Sequence, residues 1–304
     1  MEGIISLTLL VFLALLMPGV VNRTRAVMAG RRGVRFFQHL HNVGTLLQKG
    51  AVYSPSAGFI FRAAPAVCLG ATFTALLLLP FGTHGALLSF NGDVVLFAYL
   101  LALGRAALIL AAMETGSSFE GMGAAREALY GALAEPALLL TAGTLALITG
   151  QTSFARIFAS AGSLPPQMLI VMGLILYVAI KLIIVETGRI PVDDPRTHLE
   201  LTMVHEVMVL DYCGADLALL HVAEWLKAAA LATLAANAVA SAFAFNPLTV
   251  LALALAQAAA IGVVESLQAR NKLARNATYI LTITALAFVV FMLAYVLQQN
   301  ITIG

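Results

Sequence analysis

Residues 3–21 read GIISLTLLVFLALLMPGVV, an apolar run without a charge, and residues 22–35 read NRTRAVMAGRRGVR. About 20 such residues in helical form cross the hydrocarbon core of a bilayer. The charge polarity around the run decides what it is. A signal peptide carries its positive charge ahead of the apolar stretch and ends at a small-residue cleavage site. Here Glu2 stands in front, while Arg23, Arg25, Arg31, Arg32 and Arg35 all follow. The run is read as a retained transmembrane helix with its N-terminus outside.

Seven more runs of this kind follow, near 63–81, 93–113, 128–149, 167–187, 215–240, 247–264 and 278–297. They account for a composition that is 61% hydrophobic and only 11% charged over 304 residues. Soluble proteins carry near 25% charged residues, so a cytoplasmic globular enzyme is excluded. Open sheets leave unpaired edges in lipid, and these runs are too long for barrel strands. The expected fold is an all-α polytopic membrane protein of about eight spans, residues 1–304 forming a single integral membrane domain.

With the N-terminus outside, segments 22–62, 114–127, 188–214 and 265–277 face the cytoplasm. They hold 13 of the 17 basic residues: Arg23, Arg25, Arg31, Arg32, Arg35, Lys49, Arg62, Arg126, Arg189, Arg196, Arg270, Lys272 and Arg275. Of the rest, Arg105, Lys181 and Lys227 fall within spans, leaving Arg156 outside. This satisfies the positive-inside rule, and eight spans return the C-terminus to the outside.

Other chemistries drop out. Cys68 and Cys213 form no CxxC pair, so neither a zinc ribbon nor an iron–sulfur cluster is expected on this chain. His205-Glu206 is followed by Val207, Met208 and Val209, so the HExxH motif is absent. A net charge of +2 gives no case for nucleic acid. Gly121 and Gly123 follow a membrane span and not a strand, so they are no dinucleotide fingerprint; a tight turn over 114–127 leading Arg126 and Glu127 into the fourth span is expected instead.

Two cytoplasmic segments are more than connectors. Over 36–49, Phe36, Leu40, Val43 and Leu47 fall at helical spacing, with Gln38, His41, Asn42 and Thr45 elsewhere around the helix. That predicts an amphipathic helix at the interface. Over 188–214, Thr197 and Glu200 suit a capping box, and Leu201, Val204 and Met208 make a stripe, predicting a second interfacial or reentrant helix. This segment sets Arg189 and Arg196 against Asp193, Asp194, Glu200, Glu206 and Asp211, with His198 and His205 seven positions apart. Such acids and imidazoles fit a hydrated funnel that conducts protons or faces a ligand; without such a role they make a solvated, capped loop.

Charges inside the spans are the strongest local signal, because a mid-bilayer charge costs about 2.5–3.5 kcal/mol or more and is kept for a path or a partner. Glu135 lies about two turns into the expected fourth span. Lys181 precedes Glu186 near the cytoplasmic end of the fifth. In the sixth, His221, Glu224 and Lys227 are spaced to share one face. Without a path, Lys181 snorkels and Glu224 pairs with Lys227.

The run ETGRIPVDDPRTHLELTMVHE at 186–206 resembles the membrane subunit that joins the hydrophilic and membrane arms in the complex I superfamily. It is most similar to the formate hydrogenlyase and hydrogenase-4 component C type, homologous to subunit 1 of NADH-quinone oxidoreductase. Arg32-Gly33 with Gln38, Phe61-Arg62, METGSSFEGMGAARE at 113–127, Glu135-Pro136, Glu224 and VVESLQAR at 263–270 extend the likeness over nearly the whole chain. The resemblance implies a subunit of a bacterial inner membrane complex with no redox centre of its own. Hydrogenase-like large and small subunits and an iron–sulfur protein would dock on its cytoplasmic face, with antiporter-like subunits beside it in the bilayer. Iron–sulfur clusters and a nickel–iron centre would belong to those partners.

By the same resemblance Glu186, Arg189, Asp193 and Glu200 match the family's acidic loop, and Glu135 and Glu224 its buried acids. Lys181, His221 and Lys227 rest on the residues themselves. Asn42 and Thr45 stand where relatives carry Asp and Lys, Val34 replaces a usual Pro, and Arg196 and His198 replace further acids. These departures favour a hydrogenase-linked, proton-coupling role over quinone chemistry. The alternatives are a quinone-site subunit and a purely structural anchor. The proton-path candidates are then Glu135, Lys181, Glu186, Asp193, Glu200, Glu206, His221, Glu224 and Lys227. The docking or cavity candidates are Gln38, Arg126, Arg189, Asp194, His198, His205 and Asp211.

Overall fold

The computed structural model describes every residue except 162–164, 166, 195–202, 244 and 304, and the side chains of all the others except 242 and 300–303. Arg196, His198 and Glu200, with the expected capping box, lie outside the described residues. In chain order the helices are α1 (Glu2–Met28), α2 (Gln38–Leu47), α3 (Phe59–Leu77), α4 (Asp93–Glu114), α5 (Ser118–Thr149), α6 (Phe154–Ala161), α7 (Met168–Glu186), α8 (Gly214–Phe243), α9 (Pro247–Leu267) and α10 (Leu273–Ile303). All except α2 and α6 are long and apolar enough to cross a membrane. Each of the eight apolar runs in the sequence falls on one of them, and no strand is present among the described residues.

α8 is the centre. Of its most apolar window 67% is buried, against 28% for α4 and α10 on the flanks. Ala228–Ala230, Ala232, Thr233, Ala235, Ala236, Ala238 and Ala240 make its side chains small and its surface smooth. Helices in lipid gain little from hydrophobicity, so close backbone approach through small residues supplies the packing. α1, α2, α3, α6, α7 and α9 all contact it, while α3 pairs with α4 and α5 with α10 around the outside.

Turn chemistry sets the helix ends. Asn246 starts α9 with a capping box to Thr249, and Pro247 supplies a first-turn residue that has no N–H to satisfy. At the same end of the bundle the Asn237 side chain donates to the Pro80 carbonyl and accepts from the Gly82 N–H, anchoring the α3–α4 connection onto α8. Buried Asp93 accepts from Ser153 Oγ and the Phe154 N–H at the start of α6, a helix that the sequence pattern does not announce.

The opposite, basic end departs from expectation in two places. The turn expected over 114–127 shrinks to 115–117, because α5 already starts at Ser118. Its 32 residues rise about 48 Å, more than the roughly 30 Å of hydrocarbon, so part of the helix stands outside the lipid. Glu135 is consequently at mid-helix. The second interfacial helix is also absent from its described part: residues 203–205 are non-helical and Glu206–Val209 is a single 3₁₀ turn. The Asp193 carboxylate accepts the N–H groups of Val204 and His205, which a helix would need for its own ladder.

The amphipathic helix over 36–49 is present as α2, with Val43 buried against the bundle. His39 bonds to the Leu15 carbonyl at 2.8 Å and meets Trp225 edge-on, locking α2 to α1 and α8.

Candidate functional site

Two neighbouring cavities lie toward the basic end. The outer one, about 700 Å³, lies between α1, α2, α8 and residues 187–190, 194, 205 and 206, and Asn22, Arg25, His41, Arg189, Asp194 and Glu265 are among its lining groups. The inner one, about 100 Å³, lies between α3, α4, α8 and the 3₁₀ turn and is walled by Leu101, Leu108, Leu217 and Leu220. His205, Glu206, His221 and Glu224 line both. These four form the partition between a wide polar space and a narrow apolar one.

Arg105 of α4 lies at the far side of the inner cavity, its side chain 8% exposed. Its Nη1 donates to Glu135 Oε1 at 2.5 Å, its Nη2 to Glu186 Oε1, and its Nε stands 3.3 Å from Glu127 Oε1. One guanidinium thus holds three carboxylates from two other helices, α5 and α7. Its planar fork of five donors makes that geometry available to arginine and not to lysine. Gly131 makes room for it: a Cβ there would lie 2.6 Å from Nη1.

The cluster extends at both ends. Lys227 Nζ reaches Glu186 Oε2 at 3.4 Å, and His205 Nδ1 stands 3.5 Å from Glu127 Oε2. The Lys227 partner is therefore Glu186, in place of the Glu224 pair that spacing on one helix suggests. Glu135 is the open end, 43% exposed, whereas Glu127 and Glu186 are buried.

The backbone around Glu186 explains how the loop reaches the site. α7 ends in a Schellman motif, with the Gly188 N–H on the Val185 carbonyl and the Arg189 N–H on the Ile184 carbonyl. Gly188 takes a φ of +55° and lies under the His205 ring, where a Cβ would be 2.9 Å from Nδ1. Asp193 is buried, and its carboxylate is spent on backbone N–H groups, including that of Asp194. Arg126 ties α5 to the same loop through the Met203 carbonyl.

Burial pushes the Glu206 carboxyl above the usual carboxylate range. Nearby Glu224 adds to the effect, while His221 and His205 oppose it.

The remaining candidates lie elsewhere. Lys181 stands apart from the cluster, its Nζ 4.6 Å from the Tyr279 ring centre and 5.4 Å from that of Tyr177. Asp211 is exposed and meets the site only through its backbone N–H on Glu120. Gln38 donates to Asn42 on the outside of α2 and does not line the cavity. No group of three or more His, Cys, Asp or Glu side chains suited to a metal ion occurs among the described residues.

Sequence patterning passes over three residues that the structure makes central. Arg105 counts as one charge in an apolar run, Glu127 as part of a turn, and Glu265 as a cytoplasmic acid. The usable signal was Arg105 itself, since a cation inside a span needs a partner. Glu265 is buried on α9, bonded to both Arg25 and Arg189.

Comparison with known proteins places the architecture. The chain is 31% identical to formate hydrogenlyase subunit 4 of Escherichia coli K12 over 70% of its length and 68% of that protein. It is 32% identical to hydrogenase-4 component C of the same organism, over 74% and 70%. An NADH-quinone oxidoreductase subunit of Koribacter versatilis matches at 25% identity over 62% of this chain and 46% of that one. A chain of the membrane-bound sulfane sulfur reductase, an archaeal respiratory membrane complex, shares the fold with a TM-score of 0.78. The match covers 96% of this chain and 98% of that one, at 19% identity. The family model described as NADH dehydrogenase matches residues 1–294. Built from eight helices long and apolar enough to cross a membrane, with α8 at their centre, the chain belongs to the NADH dehydrogenase family.

Proposed function

We propose that the chain is the membrane-anchoring and proton-coupling subunit of a hydrogenase-linked oxidoreductase complex in a bacterial inner membrane. It carries no redox centre in this reading, and forms one integral membrane domain over residues 1–304. Hydrogenase-like large and small subunits and an iron–sulfur protein dock on the basic end, with antiporter-like subunits alongside. The two relatives named for hydrogenase and formate hydrogenlyase support the assignment to this branch.

One observation carries the coupling role: a series of ionisable side chains grouped between the outer cavity and Arg105. It takes in the partition residues His205, Glu206, His221 and Glu224, and the three carboxylates Glu127, Glu186 and Glu135 gathered on Arg105, with His205 beside Glu127. Arginine does not release its proton, so protons pass around Arg105 on the carboxylates and imidazoles. A change of charge at the docked redox arm acts first on the outer cavity and then on this series. In the intact complex reconstituted in vesicles, Glu135→Gln and Glu224→Gln should leave assembly and electron transfer in place. Coupled proton movement should fall roughly tenfold or more. Unchanged proton movement in both variants would overturn the coupling role and leave a structural anchor.

The volume of the outer cavity favours a second reading. At about 700 Å³ it lies within the range of small-molecule sites, as a quinone-site subunit requires. A photoreactive quinone that labels residues 38–47 or 187–194 of the assembled complex, displaced by unlabelled quinone, would establish it.

A further inference from the structure

The Arg105 cluster is unbalanced. Two cations, Arg105 and Lys227, face three carboxylates, Glu127, Glu135 and Glu186. His205 is the group placed to make up the difference. Its Nδ1 is buried without a hydrogen-bond partner, 3.5 Å from the Glu127 oxygen that Arg105 leaves open. The ring lies over Gly188, and the His205 backbone N–H is fixed on Asp193. It also belongs to the partition between the two cavities, so it meets the outer cavity and the inner cluster together.

We infer that His205 is the proton-loading residue of this chain: it takes one proton from the outer cavity and delivers it to Glu127. The inference rests on the proton-coupling role proposed above. The step is a proton transfer with no electrons exchanged. A protonated water in the outer cavity gives its proton to the imidazole and leaves as water. The imidazolium donates its Nδ1–H to Glu127 Oε2, and completing the transfer leaves a neutral imidazole and a neutral carboxyl. With His205 charged, three cations face three carboxylates.

The charged and titratable groups around His205 are Arg105 from α4, Glu127 from α5, Glu186 from α7 and Asp193 from the loop. Glu206 lies beside it, and His221, Glu224 and Lys227 face it from α8.

The experiment has two parts, both on the intact complex. The first follows His205 by nitrogen-15 NMR with labelled histidine, its signal assigned by its loss in H205Q or H205K. E127Q removes the facing charge, so the protonation midpoint of His205 should fall by about one pH unit or more. An unchanged midpoint overturns the pairing with Glu127.

The second measures coupled proton movement in vesicles as a function of pH for H205Q, H205K and E186Q. H205K carries a fixed charge in the same place and keeps the cluster balanced if H205Q fails to assemble. Either His205 variant should slow proton movement roughly tenfold or more and flatten its pH profile. Loss in E186Q with a wild-type profile in the His205 variants overturns the assignment of His205 and leaves the coupling role standing. Full coupling in all three overturns both.

Discussion

Arg189, the third residue past the end of α7, is bonded to Glu265 on α9 at 3.0 Å, and Arg25 of α1 takes the other oxygen of that carboxylate at 3.1 Å. Glu265 is 3% exposed, while each arginine reaches into the outer cavity. One buried acid therefore joins two helices to the loop that bears His205.

Removing Glu265 leaves two guanidinium groups facing each other at a buried site. Glu265→Gln should cost on the order of 3 kcal/mol, read as a lowered thermal midpoint of the protein in detergent. The double variant with Arg189→Gln should lose less than the two single losses combined, since it also removes one stranded cation. Strictly additive losses would show that the pair is not coupled.

Glu206 gives a pH-dependent prediction. Its carboxyl ionises later in the folded protein than in the unfolded chain, because burial and Glu224 hold it off. In the interval between, the folded state binds more protons, so stability falls as pH rises through that interval. Glu206→Gln removes the fall. Thermal midpoints of variant and wild type should agree near about pH 4 and diverge toward about pH 8, with the variant higher. A variant that is less stable at neutral pH than at low pH, relative to wild type, would contradict a carboxyl raised by burial.

Gly131 permits a prediction in which two effects oppose each other. Alanine is favoured over glycine within a helix by about 1 kcal/mol. Its Cβ would, however, lie 2.6 Å from Nη1 and 2.7 Å from Cδ of Arg105, and overpacking costs about 1–3 kcal/mol. Gly131→Ala should therefore be no more stable than wild type, and coupled proton movement should drop because Arg105 is displaced from Glu135 and Glu186. A more stable variant with normal coupling would show that Arg105 moves freely.

The spans were legible because lipid imposes one rule along the whole chain: about 20 apolar residues, whatever lies next to them. Boundaries at the basic end were not. Helix α5 starts before the expected span and runs through Glu120 and Glu127; one oxygen of Glu120 accepts the Asp211 N–H from the loop after α7, and Glu127 pairs with Arg105. Nothing within residues 114–127 signals those partners, which lie in other parts of the chain. The same holds for Arg105, whose contacts with Glu135 and Glu186 span 30 and 81 positions. His221, Glu224 and Lys227 were visible together because a single helix brings them together. Their partners were not, and the pairing of Lys227 with Glu186 in place of Glu224 is a tertiary choice. The resemblance over 186–206 pointed to a loop whose described part borders both cavities, while the Asp193 staple that shapes that part appears only in three dimensions.

The burial of α8 has a mechanical consequence. Six helices press on it, and its small side chains pack closely over 228–240, beyond the two cavities. A rod held this tightly over that half resists sliding or tilting as a body. His221, Glu224 and Lys227 stand on that rod. In the coupling role proposed above, a signal passing this point would travel as relocated charge, with α8 as the fixed frame against which it moves.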